Sequence, residues 1–197
     1  MAALGRGAPR PERSALVVDP QAQEIVQRSR SLTEKILLSI PDTHASCVRS
    51  EALQLNSSEN AKLAMMALTI GIPSAPVLKV VSGNFPLEMC LRRMSEGLQL
   101  NRALLAAVSP HLENIEKVSE LQADIRDLVI QINKMLKMIQ GETVVQPTPT
   151  PVTLKLPGDY EVQVAAHLTL VQLRDFGQDM VRCLRILDQS NEDDTDR

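Results

Sequence analysis

The stretch IEKVSELQADIRDLVIQINKMLKMIQG (residues 115–141) carries the clearest periodicity in the chain. Ile115, Val118, Leu121, Ile125, Leu128, Ile132, Met135 and Ile139 recur every three or four positions, as one buried helical face demands. Gly141 follows as an expected C-terminal cap. On the N-terminal side, Ser109-Pro110 breaks this helix from a preceding one. That earlier helix starts near Pro86 and places Leu87, Leu91, Met94, Leu98, Leu105 and Val108 on one side. Further upstream, Asp19 is an expected cap and Pro20 a first helical residue. They open a helix over 20–40 that carries Ile25, Val26, Leu32, Ile36 and Ile40 and ends at Pro41. Downstream, Val162, Ala166, Leu173, Phe176, Met180, Cys183 and Leu187 predict a fourth long helix over roughly 161–188.

Helices of this size are roughly 30 to 42 Å long at 1.5 Å per residue. The short Ser109-Pro110 break makes the second and third antiparallel. About 45 residues join the first to the second and about 20 join the third to the fourth. Each is enough to travel the bundle and start the next helix parallel to the last. The predicted fold is therefore all-α: a long-chain four-helix bundle, up-up-down-down, with two long crossovers. Ala61, Leu63, Ala64, Met65, Ala67 and Leu68 predict a short helix in the first crossover, ended by Gly71-Ile72-Pro73. The second crossover contains Pro147-Thr148-Pro149-Thr150-Pro151 and is expected to be extended, mobile and exposed.

Composition agrees. The 197 residues are 44% hydrophobic, with two Phe, one Tyr and no Trp, which suits one domain with a helix-packed core rather than a sheet. We expect residues 1–18 to be disordered, 19–189 to form the domain and 190–197 to form a disordered acidic tail. The formal net charge of −3 and scattered Lys and Arg provide no basic face for nucleic acid. No apolar run reaches the length of a membrane span, so membrane insertion is not expected. The first thirteen residues lack the apolar core of a secretory leader.

His44, His111 and His167 read as isolated, and no Glu-x-x-His pair, Gly-rich phosphate loop, nucleophile elbow or paired-cysteine metal site occurs. No enzyme, metal or cofactor is expected. Cys47, Cys90 and Cys183 cannot all pair within one molecule, so at least one is free. Asn56-Ser57-Ser58 is the one acceptable N-glycosylation sequon.

Residues 71–105 carry a further pattern: Gly71-Ile72-Pro73-Ser74-Ala75-Pro76, then Cys90, six residues, Gly97-Leu98, and Leu105. This resembles the signature of the interleukin-six and granulocyte colony-stimulating factor family of long-chain helical cytokines. There, a cysteine follows another after nine residues, then come six residues, Gly-Leu, two residues, an aromatic, three residues and Leu. Cys90, Gly97, Leu98 and Leu105 fit, while Val80 and Asn101 stand where the earlier cysteine and the aromatic belong. The resemblance covers roughly residues 20 to 188.

The resemblance implies a secreted growth factor, a monomer when free, that binds and dimerises a class I cytokine receptor and drives granulocyte proliferation and differentiation. Leu121-Gln122-Ala123-Asp124-Ile125-Arg126-Asp127-Leu128 resembles the family segment whose two aspartates contact the receptor's cytokine-binding module. With Glu120 and Gln131, Asp124 and Asp127 would form a polar stripe beside the core face. A gapless alignment places Glu24 at the family's main receptor-binding glutamate; a shift in register would bring Glu34 forward instead. The same alignment places Glu51 at the acidic residue of the first crossover that makes a second receptor contact. Thr148 resembles an O-glycosylated threonine.

The family's two short-range disulfides have no counterparts, because Pro41 and Val80 replace partners of Cys47 and Cys90. A substitute Cys47–Cys90 bond or buried, unpaired thiols remain the alternatives. Secretion by way of a leader outside these residues is the expectation. The missing leader and bridges favour one other reading, an intracellular helical-bundle adaptor or scaffold without enzymatic activity.

Overall fold

The computed structural model describes residues 19–78, 87–140 and 151–188. The expectations for the two termini, for Gly141 as a cap and for Thr148 and the prolines at 147 and 149 lie outside those residues. Among the described residues the chain is all-helical and has no strand. Helix α1 spans Pro20–Cys47, α2 Ala64–Ile70, α3 Leu87–Val108, α4 Glu116–Gln140 and α5 Asp159–Leu187. Short 3-10 turns occupy Ser58–Leu63, running into α2, and Ser109–His111, between α3 and α4.

Local sequence accounts for most of the boundaries. Asp19 Oδ1 accepts from the Gln21 amide at 2.9 Å with Pro20 at the first turn, so the carboxylate satisfies a donor that the helix cannot. Gly71 ends α2 in the left-handed conformation (φ 91°), where a side chain would be strained. The second crossover is less free than expected: the Lys155 amide donates to the Ile70 carbonyl at 2.9 Å, and Val152, Leu154 and Leu156 pack partly buried against the core. Their alternation is that of an extended segment burying one side.

Helix α1 departs from the expectation in two ways. It does not stop at Pro41 but continues to Cys47. A proline inside a helix costs about 3 kcal/mol, and the extra turns bury Thr43, His44 and Cys47 in return. Its buried stripe is Ala22, Val26, Ser29, Thr33, Ile36 and Ile40, with Ile25 and Leu32 only half-buried. That spacing alternates fours and threes, the seam of two helices in knobs-into-holes contact. Ser29 and Thr33 can occupy it because each hydroxyl donates back to its own helix, to the Ile25 and Ser29 carbonyls at 2.7 Å.

In α3, α4 and α5 the buried faces follow the apolar periodicity. Leu91, Met94, Leu98, Leu105, Leu121, Ile125, Leu128, Ile132, Leu173, Phe176 and Met180 are all buried. Leu87 and Ile139 are only half-buried, and Ile115, which precedes α4, is 48% exposed. Helix α1 packs on α4 and α5, and α3 packs on the same two. Gln23, near the start of α1, donates to the carbonyl of Leu187, the last residue of α5, at 3.0 Å. Ser95 on α3 donates to Asn133 late in α4 at 2.9 Å, and Gln122 early in α4 reaches the Arg102 carbonyl at 3.5 Å.

Helices α3 and α5 come close together at Gly97, where a Cβ would stand 2.6 Å from Phe176 Cε2. Phe176 is buried and has little room to move. We expect Gly97→Ala to lower stability by about 1 to 2 kcal/mol, overpacking outweighing its better helix propensity. The melting temperature should fall by roughly 2 to 6 °C. In a Phe176→Leu background the same substitution should be neutral or stabilising. A rise in the melting temperature of the otherwise wild-type protein would show that the two helices are not in contact there.

Candidate functional site

The α1–α4 seam is where the anticipated acidic residues gather. Asp124 and Asp127 lie three residues apart on α4, as helix geometry requires, but their surroundings differ. Lys35, reaching across from α1, donates to Asp124 Oδ1 at 2.8 Å, leaving the aspartate side chain only 14% exposed. Asp127 is 51% exposed, and its ion-pair partner is the adjacent Arg126 at 3.5 Å. The hydrogen bond to Asp124, followed by the charges of Asp124, Asp127 and Glu120, raises the Lys35 ammonium above its ordinary range. Lys35 is therefore a fixed cation inside an acidic cluster, and the cluster retains a net negative charge.

Glu24 lies on the same seam, eleven residues before Lys35 on α1 and so about 16 Å along the helix. It is 72% exposed, pairs with Arg28 at 3.7 Å and borders a hollow of about 380 Å³ that Gln131, Lys134, Lys137 and Met138 line from α4. Gln131 is buried there, and its Oε1 has no partner among the described residues. A second hollow of about 280 Å³ lies around Lys35, Ser39, Asp42, Lys117, Glu120 and Asp124. Glu34, the alternative to Glu24, is held by Arg30 at 3.3 Å.

Glu51 is elsewhere, exposed in the turn after α1, where its carbonyl accepts from Gln54 at 2.8 Å. Beside it Arg49 bridges Glu113 at 3.1 Å and Asp159 at 3.4 Å, joining the turn to the start of α5. Asn56 is exposed, with its Oδ1 accepting from Arg174 at 2.8 Å. Cys47 and Cys90 are not bonded: all three cysteines are unpaired and buried. Cys47 is the last residue of the extended α1, next to the Ser46 hydroxyl at 3.6 Å, while Cys90 faces Cys183.

Two of the three histidines read as isolated, His44 and His167, are not. His44 Nε2 lies 2.8 Å from His167 Nδ1, and His167 Nε2 lies 2.8 Å from Asn60 Oδ1. Asn60 Nδ2 donates to the Gln54 and Leu55 carbonyls, so its Oδ1 is the acceptor and His167 donates from Nε2. That leaves the neutral His167 Nδ1 to accept from His44. Burial, the neighbouring His44 and the Arg174 charge push His167 down to about 4, and burial also lowers His44. The pair pins the first crossover to α5. Its one sequence signal is that each histidine lies on its helix's apolar stripe near an end, and for His44 that became visible only once α1 ran past Pro41.

Among the described residues no group of three or more His, Cys, Asp or Glu is placed to hold a metal ion, and no helix is long and apolar enough to cross a membrane. No model of a known protein family matches the chain, and no curated protein matches it.

Proposed function

We propose that the chain is a secreted long-chain helical cytokine of the granulocyte colony-stimulating factor type, built as an up-up-down-down four-helix bundle. It acts by binding and pairing a class I cytokine receptor to drive granulocyte proliferation and differentiation. The topology is supported by which helices touch and where. Early α1 meets late α5, early α3 meets late α4, and α1 and α3 both pack on α4 and α5. In a bundle of alternating direction, consecutive long helices would be the neighbours throughout.

The observation that carries the functional reading is the shared seam of α1 and α4, which sets Glu24, Asp124 and Asp127 on one side of the molecule. That side would grip the receptor's cytokine-binding module, and Glu51 at the bundle end would engage a second receptor. The protein does no chemistry in this reading. It is a monomeric ligand whose affinity comes from a few central anchors rather than from its whole contact area. Asn56 and Thr148 are its candidate glycosylation sites.

The test is growth of factor-dependent myeloid cells that carry a granulocyte colony-stimulating factor receptor, beside the same cells without it. Dose-dependent growth confined to the receptor-bearing line is the expected result. Equal growth, or none, in both lines would overturn the reading.

A further inference from the structure

We infer that Cys90 and Cys183 are the chain's disulfide pair, joining α3 to α5, and that Cys47 is the thiol left over. The register of α3 against α5 brings the two together, whatever the protein binds. Helices α3 and α5 meet at Gly97 with Phe176, and again one turn on at Asn101 with Gln172, whose amide donates across the interface at 3.4 Å. These two contacts fix how the helices slide past each other. Seven residues before Gly97 is Cys90, and seven after Phe176 is Cys183. Seven residues are two helical turns and return a side chain to the same face within about 20°. The contact register therefore brings Cys90 opposite Cys183.

The two thiols are hydrogen-bonded partners and are almost wholly buried, at 1% and 2% exposure. The hydrogen bond to Cys183 and then burial hold the Cys90 thiol well above its ordinary range, while the same bond lowers Cys183. Cys47 has no cysteine beside it; its neighbours are the Ser46 hydroxyl and the hollow formed with Leu112 and Val162.

The oxidant is a small-molecule disulfide such as oxidised glutathione. Either thiolate attacks it, forming a mixed disulfide and expelling one glutathione thiolate. The other cysteine, as thiolate, then attacks the cysteine sulfur of that mixed disulfide, forming the Cys90–Cys183 bond and expelling the second. Two electrons and the two thiol protons end on glutathione, so one disulfide is exchanged for another. Burial places this exchange during folding, before α3 closes on α5.

The test is to refold the full chain in a glutathione redox buffer, denature it, alkylate free thiols and map the peptides. One alkyl group, on Cys47, and a linked peptide containing Cys90 and Cys183 are expected. In Cys47→Ser the bond should persist, and oxidation should raise the melting temperature by on the order of 5 to 10 °C over the reduced form, since the cross-link closes a long loop. Three alkylated thiols after refolding, or a peptide linking Cys47 to either partner, would overturn the inference.

Discussion

Replacing Asp124 and Asp127 together by alanine is expected to raise the half-maximal dose for receptor-dependent myeloid growth by roughly 100-fold, the loss from truncating desolvated interfacial carboxylates. Asp127, half-exposed and paired with its neighbour Arg126, is the more available of the two to a partner's cation. Asp124 already accepts from Lys35 and keeps a small exposed fraction. Asp127→Ala alone should therefore account for most of the change. The fold should be unaffected: Lys35–Asp124 is a surface pair, worth at most about 1 kcal/mol. Circular dichroism and the melting curve of the double variant report on that separately. Full potency in a folded double variant would remove the α1–α4 seam as the receptor-binding side.

Acid should loosen the protein through His44 and His167 before its carboxylates titrate. His167 is held at about 4 in the folded chain, against an ordinary 6.5. Below 6.5 the unfolded chain therefore binds a proton that the folded chain refuses. Stability is complete above that value, falls as pH drops through it and levels off near 4. For His167 alone the loss between pH 7.5 and 5 is about 2 kcal/mol, and His44, shifted in the same direction, adds to it. Geometry explains the refusal: with Nε2–H committed to Asn60, a proton on His167 Nδ1 would point at the His44 N–H. Urea unfolding at pH 7.5, 6.0 and 5.0 measures the slope, and His44→Gln/His167→Gln should flatten it. Equal slopes in the two proteins would mean that the folded pair takes up its protons over the same pH range as the unfolded chain.

The same two positions illustrate what could be read without coordinates. That Asp124 and Asp127 are neighbours beside the buried stripe of Leu121, Ile125 and Leu128 follows from a three-residue spacing and needs no tertiary information. That Lys35 reaches Asp124, or that His44 meets His167, involves residues 89 and 123 apart. No local pattern encodes such a meeting. The expected end of α1 at Ile40 was a sound reading of Pro41 by itself. It hid His44 by assigning it to a loop, and it placed Cys47 well outside the helix.

The sequence alone determined that the chain is helical, where the long helices lie and which faces of α3, α4 and α5 are buried. A 3.6-residue repeat of apolar side chains is complete within each segment, and capping by Asp19 or Gly71 acts within one turn. Only the tertiary structure decided that α1 carries on through a proline, that Ser29 and Thr33 belong to the core, and which histidines and cysteines face each other. Those outcomes depend on burial against other helices and on the register between them, and both are properties of the packed chain rather than of any one segment.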